Sequence, residues 1–253
     1  MPLSRARALS GPNRSTRADR QLGIVLAFVA GATNAGGFLA VQQYTSHMTG
    51  IVSAMADNLA LGAYELVGAA AVGLLSFVVG AACSAVMVNY ARRHRMHSEY
   101  ALPLLVEAFL LLGFGLLGAR LARTEPLFVP FTVMLLCFIM GLQNAVITKL
   151  SNAVIRTTHI TGIVTDIGIE LGKFFYWNGP RSDLRPIVLC DRARLGVLTS
   201  LALSFFVGGV VGAFGFTHFG YVSTVPLAVL LIGLAGVPAY DDLVAAWRRR
   251  KSV

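Results

Sequence analysis

Long apolar runs, separated by short polar and basic segments, dominate the pattern of hydrophobic and polar positions along the chain. A helix needs about 20 apolar residues to cross a bilayer core of about 30 Å. The runs approach this length and are rich in Gly and Ala, which lets helices pack closely in lipid. The pattern predicts an all-α, polytopic transmembrane helix bundle. Its six predicted spans are Leu22–Val41, Leu66–Tyr90, Ala101–Ala119, Pro126–Thr148, Leu195–Thr217 and Phe219–Tyr240.

Two shorter segments, Thr45–Leu61 and Thr157–Phe174, are helix-like but more polar than the six runs. The first contains Asp57, and the second contains Asp166 and Glu170. Such charges are costly at full bilayer depth. Counting them as spans would give eight and would move the arginine cluster after the second span to the outside. We therefore interpret each as a short re-entrant or interfacial half-helix, and expect six spans.

Composition agrees with lipid as the surrounding solvent. The chain is 56% hydrophobic and 13% charged, whereas soluble domains carry about 25% charged residues. Its net charge of +9 is clustered between apolar runs instead of covering one face, which argues against a nucleic-acid partner. Basic connections collect on the cytoplasmic side, so both termini are predicted to be cytoplasmic. The basic tails are residues 1–21 and 241–253.

An internal repeat divides the chain into two halves, 22–119 and 126–240. Thr45–Val52 (TSHMTGIV) and Thr157–Val164 (TTHITGIV) are identical at six of eight positions, and each contains the signature His-x-Thr-Gly. Other matches follow in the same order in both halves. They are Gly31–Ala35 with Gly141–Ala145, Leu75–Gly80 with Leu203–Gly208, and Pro103-Leu104 with Pro226-Leu227.

An odd number of spans in each half has a topological consequence. The first half starts inside and the second starts outside, so the halves are predicted to be inverted repeats. Inverted repeats are common in transporters, whose sites lie near the bilayer midplane where broken helices meet. The two His-x-Thr-Gly segments are therefore expected to enter from opposite faces of the membrane.

The chemistry of the signature favours a small polar or anionic solute. A helix N-terminus that faces a cavity presents unpaired N–H groups and a partial positive charge. Histidine titrates near neutral pH, threonine can cap the following helix, and glycine permits close backbone approach. The candidate solute-binding residues are His47, Thr49, Gly50, His159, Thr161, Gly162, Asn34, Asn144, Arg156, Asp166 and Glu107.

Functional and structural interpretations of these residues both remain open. Asn34 and Asn144 could supply paired amides to a pore, or tie helices together by hydrogen bonds. Asp166 lies one helical turn from Glu170; the two acids form either a solvated cytoplasmic face or a site with Arg156 as partner. An intramembrane acid is expensive, so Glu107 is a proton or cation site, or half of a structural pair.

Catalytic and metal-binding patterns are not found in the sequence. Cys83, Cys137 and Cys190 lie far apart, and neither signature histidine has a Cys, Asp or Glu at ligand spacing beside it. There is no G-x-S-x-G or comparable nucleophile arrangement. We expect no enzymatic activity, no metal and no cofactor.

The paired motifs resemble those of the YoaK-type family, bacterial integral membrane proteins grouped under a domain of unknown function. The resemblance covers about Leu22 to Ala239 and implies a bacterial inner-membrane protein without naming a substrate. Many members have Asp where Asn34 stands and Asn where Ile51 stands. The motifs are Gly31–Phe38 (GATNAGGF), His47–Gly50 (HMTG), Gly141–Ala145 (GLQNA) and Arg156–Gly162 (RTTHITG), then Asp166, Glu170, Leu171 and Gly172.

The sequence favours a small-solute permease or channel in which His47, Thr49, His159 and Thr161 line a central site between inverted repeats. The alternative is a non-transporting membrane scaffold or accessory subunit, in which the signatures only join the two halves. A solvent-connected cavity that reaches both signatures would favour transport, and a dry interface would favour the scaffold. Six spans make a thin bundle, which favours a homodimer in the lipid bilayer.

Overall fold

The computed structural model describes residues 16–94, 96, 99–121, 125–150, 160–178 and 187–251, and all regular secondary structure within these ranges is helical. The helical class is thereby confirmed. Each predicted apolar run falls in a long helix, although the last helix begins late because Gly220, with a φ of +61°, ends its predecessor. The helices are α1 Thr16–Val41, α2 Met48–Ala60, α3 Tyr64–Arg93, α4 Ala101–Leu121, α5 Glu125–Leu150, α6 Ile160–Phe175, α7 Arg192–Phe219 and α8 Thr224–Lys251, with a 3₁₀ turn at Gly220–Ser223.

Membrane-spanning length is reached by four helical stretches in the described part of the chain. They are Asp19–Val41, Tyr64–Arg93, Val129–Lys149 and Arg192–Gly236, the last of which includes the turn between α7 and α8; Ala101–Leu116 of α4 is a shorter apolar helix. Large apolar side chains are exposed along the outer faces of α3 and α7. Such faces suit contact with lipid. The two shorter helices, α2 and α6, lie at the two segments that the sequence predicts to be half-helices.

The main helix pairs each join one helix from each half of the chain. Helix α1 packs mainly on α7, α3 on α5, and α4 on α8. The two half-helices each pack on the long helix that follows them, α2 on α3 and α6 on α7. If each helix is replaced by the corresponding helix of the other half, the same set of helix pairs results.

Glycines allow the closest of these helix contacts. A Cβ on Gly31 would collide with the carbonyl oxygen of Phe205, and a Cβ on Gly141 would collide with that of Phe77. Gly31 and Gly141 are matched positions of the sequence repeat, and so are Phe77 and Phe205. The same exchange relates two further contacts, those of Gly208 with the Phe28 carbonyl and of Gly80 with the Phe138 carbonyl.

The contacts also define helix directions. Helices α1 and α7 run parallel, since Gly208 lies beside Phe28 and Gly212 beside Ala32. Helices α3 and α5 are parallel as well, with Gly73 beside Cys137 and, further along both helices, Lys149 bonded to Asn89. In contrast, α1 and α5 are antiparallel. Their contacts are the Gln143 amide donating to the Leu26 carbonyl, and Gly37 packed on Leu136.

These directions gather basic residues at one end of the bundle. The Tyr100 hydroxyl donates to the Lys149 carbonyl over 3.2 Å and joins the start of α4 to the end of α5. The Lys149 ammonium donates to Asn89 Oδ1 over 2.8 Å at the end of α3. Because α1 is antiparallel to α5 and parallel to α7, the starts of α1 and α7 lie at this end too. The described basic residues there include Arg20, Arg92, Arg93, Lys149, Arg192 and Arg194.

Candidate functional site

The first signature forms the entry to α2. His47 is the N-cap residue, and its imidazole lies over Gly50, where any Cβ would collide with the ring. His47 and Thr49 are exposed. The prediction that this threonine caps the helix is wrong, because Thr49 already lies in the first turn and the N-cap makes no side-chain hydrogen bond. What Gly50 provides is space for the histidine ring.

Asn34 holds the loop before this signature against the end of α1. The Ser46 hydroxyl donates to Asn34 Oδ1 over 2.8 Å, and the ring of Tyr44 stacks on Phe38 with centroids 4.5 Å apart. The structure therefore brings Asn34 and the first signature together. The contact fixes the position of the loop and with it the position of His47.

The second signature is described only in part, since Arg156 and His159 lie outside the described residues. Thr161 and Gly162 lie in the first turn of α6, where the Thr161 carbonyl accepts from the Thr165 hydroxyl over 2.8 Å. Both signatures are followed by a buried isoleucine. The isoleucine that follows each Thr-Gly, Ile51 or Ile163, is 4% exposed.

The two signatures lie at different depths along α1. The loop of the first is bonded at Asn34, whereas Ile163 of α6 packs in a cluster with Ile24 and Ala27. At 1.5 Å per residue these levels are about 10–15 Å apart. Asn34 and Asn144 also lie about 10 Å apart along the antiparallel α1–α5 contact. Matched residues of the two halves therefore lie toward opposite ends of this contact.

Glu170 is the centre of an ionic cluster that joins α6 to the start of α7. Its side chain is 1% exposed and accepts from the Lys173 ammonium and from the Asp191 backbone N–H, each over 2.9 Å. The Arg194 guanidinium lies 3.7 Å away. Hydrogen bonds from Lys173 and Asp191 lower the pKa of Glu170 below its ordinary value. A solvated acidic face is thus the wrong interpretation of this residue.

Asp166 pairs with the same arginine, since Arg194 Nη2 lies 3.1 Å from Asp166 Oδ2. Sequence reasoning considered Arg156 as the partner of these acids and missed Arg194. A signal was present in the sequence, because Asp191 directly precedes an apolar run and caps α7 by accepting from the Arg194 backbone N–H over 2.9 Å. The cap places the Arg194 side chain one turn into α7, beside α6.

Glu107 lies in the interior of the bundle on α4. It is 0% exposed, and neither of its carboxyl oxygens has a hydrogen-bond partner among the described residues. Four further buried side chains carry an oxygen atom in the same condition: Thr33, Thr45, Ser84 and Gln143. Sequence reasoning missed these four. For Thr33 and Gln143 a signal existed, since each directly precedes the repeated asparagine.

A shallow cleft of about 480 Å³ lies between the end of α6 and α7. Its walls include Phe174 and Leu195, and the Arg192 guanidinium stands 5.5 Å from the centroid of the Phe174 ring at its mouth. None of the predicted solute-binding residues that the structure describes lines this cleft. It belongs to the outer surface of the α6–α7 hairpin.

The apolar helices, their exposed apolar faces and the buried polar residues define a multi-pass integral membrane protein. A model of the family described as Protein of unknown function (DUF1275) matches residues 22–237, and the chain belongs to this family. The chain is 27% identical over 217 residues to the UPF0700 transmembrane protein YoaK of Bacillus subtilis (strain 168), an alignment that covers 83% of this chain and 89% of that protein. The resemblance to the YoaK-type family is thus confirmed. No solved structure matches the chain.

Proposed function

We propose that this protein is a small-solute permease or channel of the bacterial inner membrane. It crosses the membrane six times, its halves are inverted repeats of three spans, and both termini are cytoplasmic. The solute site lies between the halves, and the residues around the signatures control access to it.

Helix directions support the six-span arrangement. Helices α1 and α5 begin the two halves and run antiparallel, as the Gln143–Leu26 and Gly37–Leu136 contacts require. If α2 and α6 also spanned the membrane, α1 and α5 would have to cross it in the same direction. At about 1.5 Å per residue, a helix of 13 residues such as α2 is also shorter than a 30 Å core.

Orientation follows from the basic end of the bundle. Arg92, Lys149 and Arg194 lie at helix ends on this side of the bundle. The opposite end contains the turn Leu61–Ala63 and the turn at Gly220. Basic residues accumulate on the cytoplasmic side of membrane proteins. The basic end is therefore assigned to the cytoplasm.

The observation that carries the transport proposal is the set of buried oxygens without partners. An unsatisfied polar group in an apolar interior costs about 1–3 kcal/mol, and a protein that only packed its helices would gain by replacing them with apolar groups. Thr33 and Gln143 occupy matched positions in the two halves and are both buried at the α1 and α5 helices. Polar groups retained inside a membrane bundle mark solute and ion pathways.

Solute flux into proteoliposomes tests this proposal, with a panel of anions, amino acids and neutral metabolites. Thr33→Val keeps the side-chain shape and removes the hydroxyl, and should reduce flux of the transported solute at least tenfold, equivalent to about 1.4 kcal/mol. Thr165→Val is the matched control, because Thr165 is exposed and bonds only within α6. Equal flux in both variants and the wild type would remove Thr33 from the pathway.

The signature histidines are tested on the same solute with His47→Ala and His159→Ala. His94→Ala is the control, because His94 lies at the end of α3, where its ring packs against Tyr90 with the centroids 4.3 Å apart. If the panel contains a transported solute and both signature variants carry it like the wild type, the histidines are not part of the site.

A non-transporting scaffold is the second candidate, and the position of the cleft favours it. The cleft lies on the outside of α6 and α7, and none of the described signature residues lines it, while Ser46–Asn34 and the Glu170 cluster act as ties between elements. A scaffold gains stability when buried unsatisfied oxygens are removed. Thr33→Val with raised thermal stability, and no flux of any solute by the wild type, would support the scaffold.

A further inference from the structure

Glu107 lies well inside the apolar part of α4. It follows Tyr100, which marks the basic end, by seven residues, so it is about 10 Å from that end along the helix. Helix α4 packs against α8, α5 and α3, and the side chains around this level include the buried Leu104, Ala108 and Leu231. No part of the Glu107 side chain is exposed.

No described cation lies at this depth to neutralise a carboxylate. The nearest two, Arg92 and Lys149, lie at the Tyr100 end and are engaged there, Arg92 with Glu99 and Lys149 with Asn89. The other described ionisable groups on the neighbouring helices are Tyr90, Arg93, His94 and Tyr240 toward the basic end, Tyr64, Glu65 and Tyr221 toward the opposite end, and the thiols of Cys83 and Cys137.

Hydrogen-bond acceptors, in contrast, do occur at this depth. Gln143 is six residues from Lys149 on α5, and Ser84 is five residues from Asn89 on α3, so both lie about 8–9 Å in from the basic end. The Gln143 side-chain oxygen and the Ser84 hydroxyl are buried without a partner. The Gln143 amide nitrogen is already used, since it donates to the Leu26 carbonyl over 3.3 Å.

The charge state of Glu107 follows from these surroundings. An ionised carboxylate without water, cation or donor is strongly unfavourable in an apolar interior. A neutral carboxylic acid has one O–H to donate, and oxygens that need a donor lie at the same depth. Protonation therefore removes the buried charge.

We propose that Glu107 is the proton-binding site of this membrane domain. In the packed bundle it holds its proton as a neutral acid, at the same depth as the buried oxygens of Gln143 and Ser84. When α4 separates from its neighbours and water enters, the O–H bond of the acid breaks and the proton passes to water, leaving a hydrated carboxylate. Release of the proton requires only that the bundle opens. It does not depend on whether a solute crosses the membrane with the proton.

Infrared spectroscopy of the full-length protein in lipid tests the proposal. A protonated carboxylic acid has a carbonyl stretching band that is separate from those of carboxylates and amides and shifts in deuterated water. At neutral pH the wild type should show this band, Glu107→Gln should lack it, and Glu65→Gln should retain it, since Glu65 is exposed. On raising the pH, the wild-type band should disappear reversibly.

A second variant distinguishes loss of the Glu107 proton from misfolding of the Glu107→Gln variant. Glu107→Asp keeps an acid at this position and should keep a protonated band at a changed frequency. Absence of any Glu107-dependent band at neutral pH would overturn the proposal, because the group would then be ionised. A band that persists at every pH at which the protein stays folded would also overturn it, because the proton would then not exchange. Loss of flux in the transport assay would affect neither result.

Discussion

At the residue scale, glycine sets how closely the two halves of the protein approach. Gly80 of α3 packs against the carbonyl oxygen of Phe138, and the matched Gly208 of α7 packs against that of Phe28. A backbone carbonyl inside a helix cannot turn aside to admit a methyl group. Gly68 lies on the same helix as Gly80, yet a Cβ there would meet nothing within 4 Å.

We predict opposite effects of alanine at these two glycines. Gly80→Ala should destabilise the bundle by about 1–3 kcal/mol, the usual cost of overpacking, whereas Gly68→Ala should be neutral or stabilise by up to about 1 kcal/mol through helix propensity. Thermal unfolding in detergent measures both. Equal unfolding temperatures for the two variants would mean that the close contact at Gly80 is not formed.

At the scale of elements, α6 is held on α7 by charges as well as by apolar contact. Glu170 accepts from Lys173 and from the Asp191 N–H, and its pKa is lowered. A lowered pKa means that the folded state favours the carboxylate. The stabilisation is therefore fully present above the ordinary pKa of about 4.5 and is lost as the pH falls below it.

We predict that docking of α6 loosens in acid. Spin labels at Ile169 on α6 and Leu195 on α7 should report one narrow distance distribution at neutral pH, and a broad one once the pH has fallen through the lowered pKa of Glu170. Glu170→Gln removes the titrating group, so its distribution should not change over this pH range. A wild-type distribution that stays narrow after Glu170 is protonated would contradict this role.

The elements themselves could be predicted from the sequence, because apolar length and helix-breaking connections are local properties. The contacts that position the candidate site could not. Glu170 and Asp191 are 21 residues apart in the sequence and meet only because α6 folds back on α7. Thr49 has the residue type of a cap, yet the helix is capped two residues earlier, at His47, and no local pattern distinguishes these two starts.

At the scale of the whole molecule, the pairing of helices between halves decides the architecture. The repeat was visible in the sequence, but which helix packs on which depends on surfaces of distant segments, such as Gly31 of α1 on Phe205 of α7. The packing of distant segments also explains why only some of the predicted site residues come together. Asn34 meets the first signature through Ser46, whereas Asn144 is placed toward the other end of the bundle by the antiparallel α1–α5 contact.

Inversion of the two halves across the membrane can be tested at matched positions of the repeat. Tyr64 and Tyr176 are both exposed and follow α2 and α6 at corresponding places, 112 residues apart. Each is replaced by cysteine in a chain whose native cysteines, Cys83, Cys137 and Cys190, are changed to serine or alanine. A membrane-impermeant thiol reagent is then applied to intact cells and to inverted membrane vesicles.

We predict that the cysteine at position 64 reacts only in intact cells and the one at position 176 only in inverted vesicles. That result places corresponding residues on opposite faces of the membrane, as an odd number of spans per half requires. Reaction of both cysteines from the same side would contradict the account, because each half would then cross the membrane an even number of times.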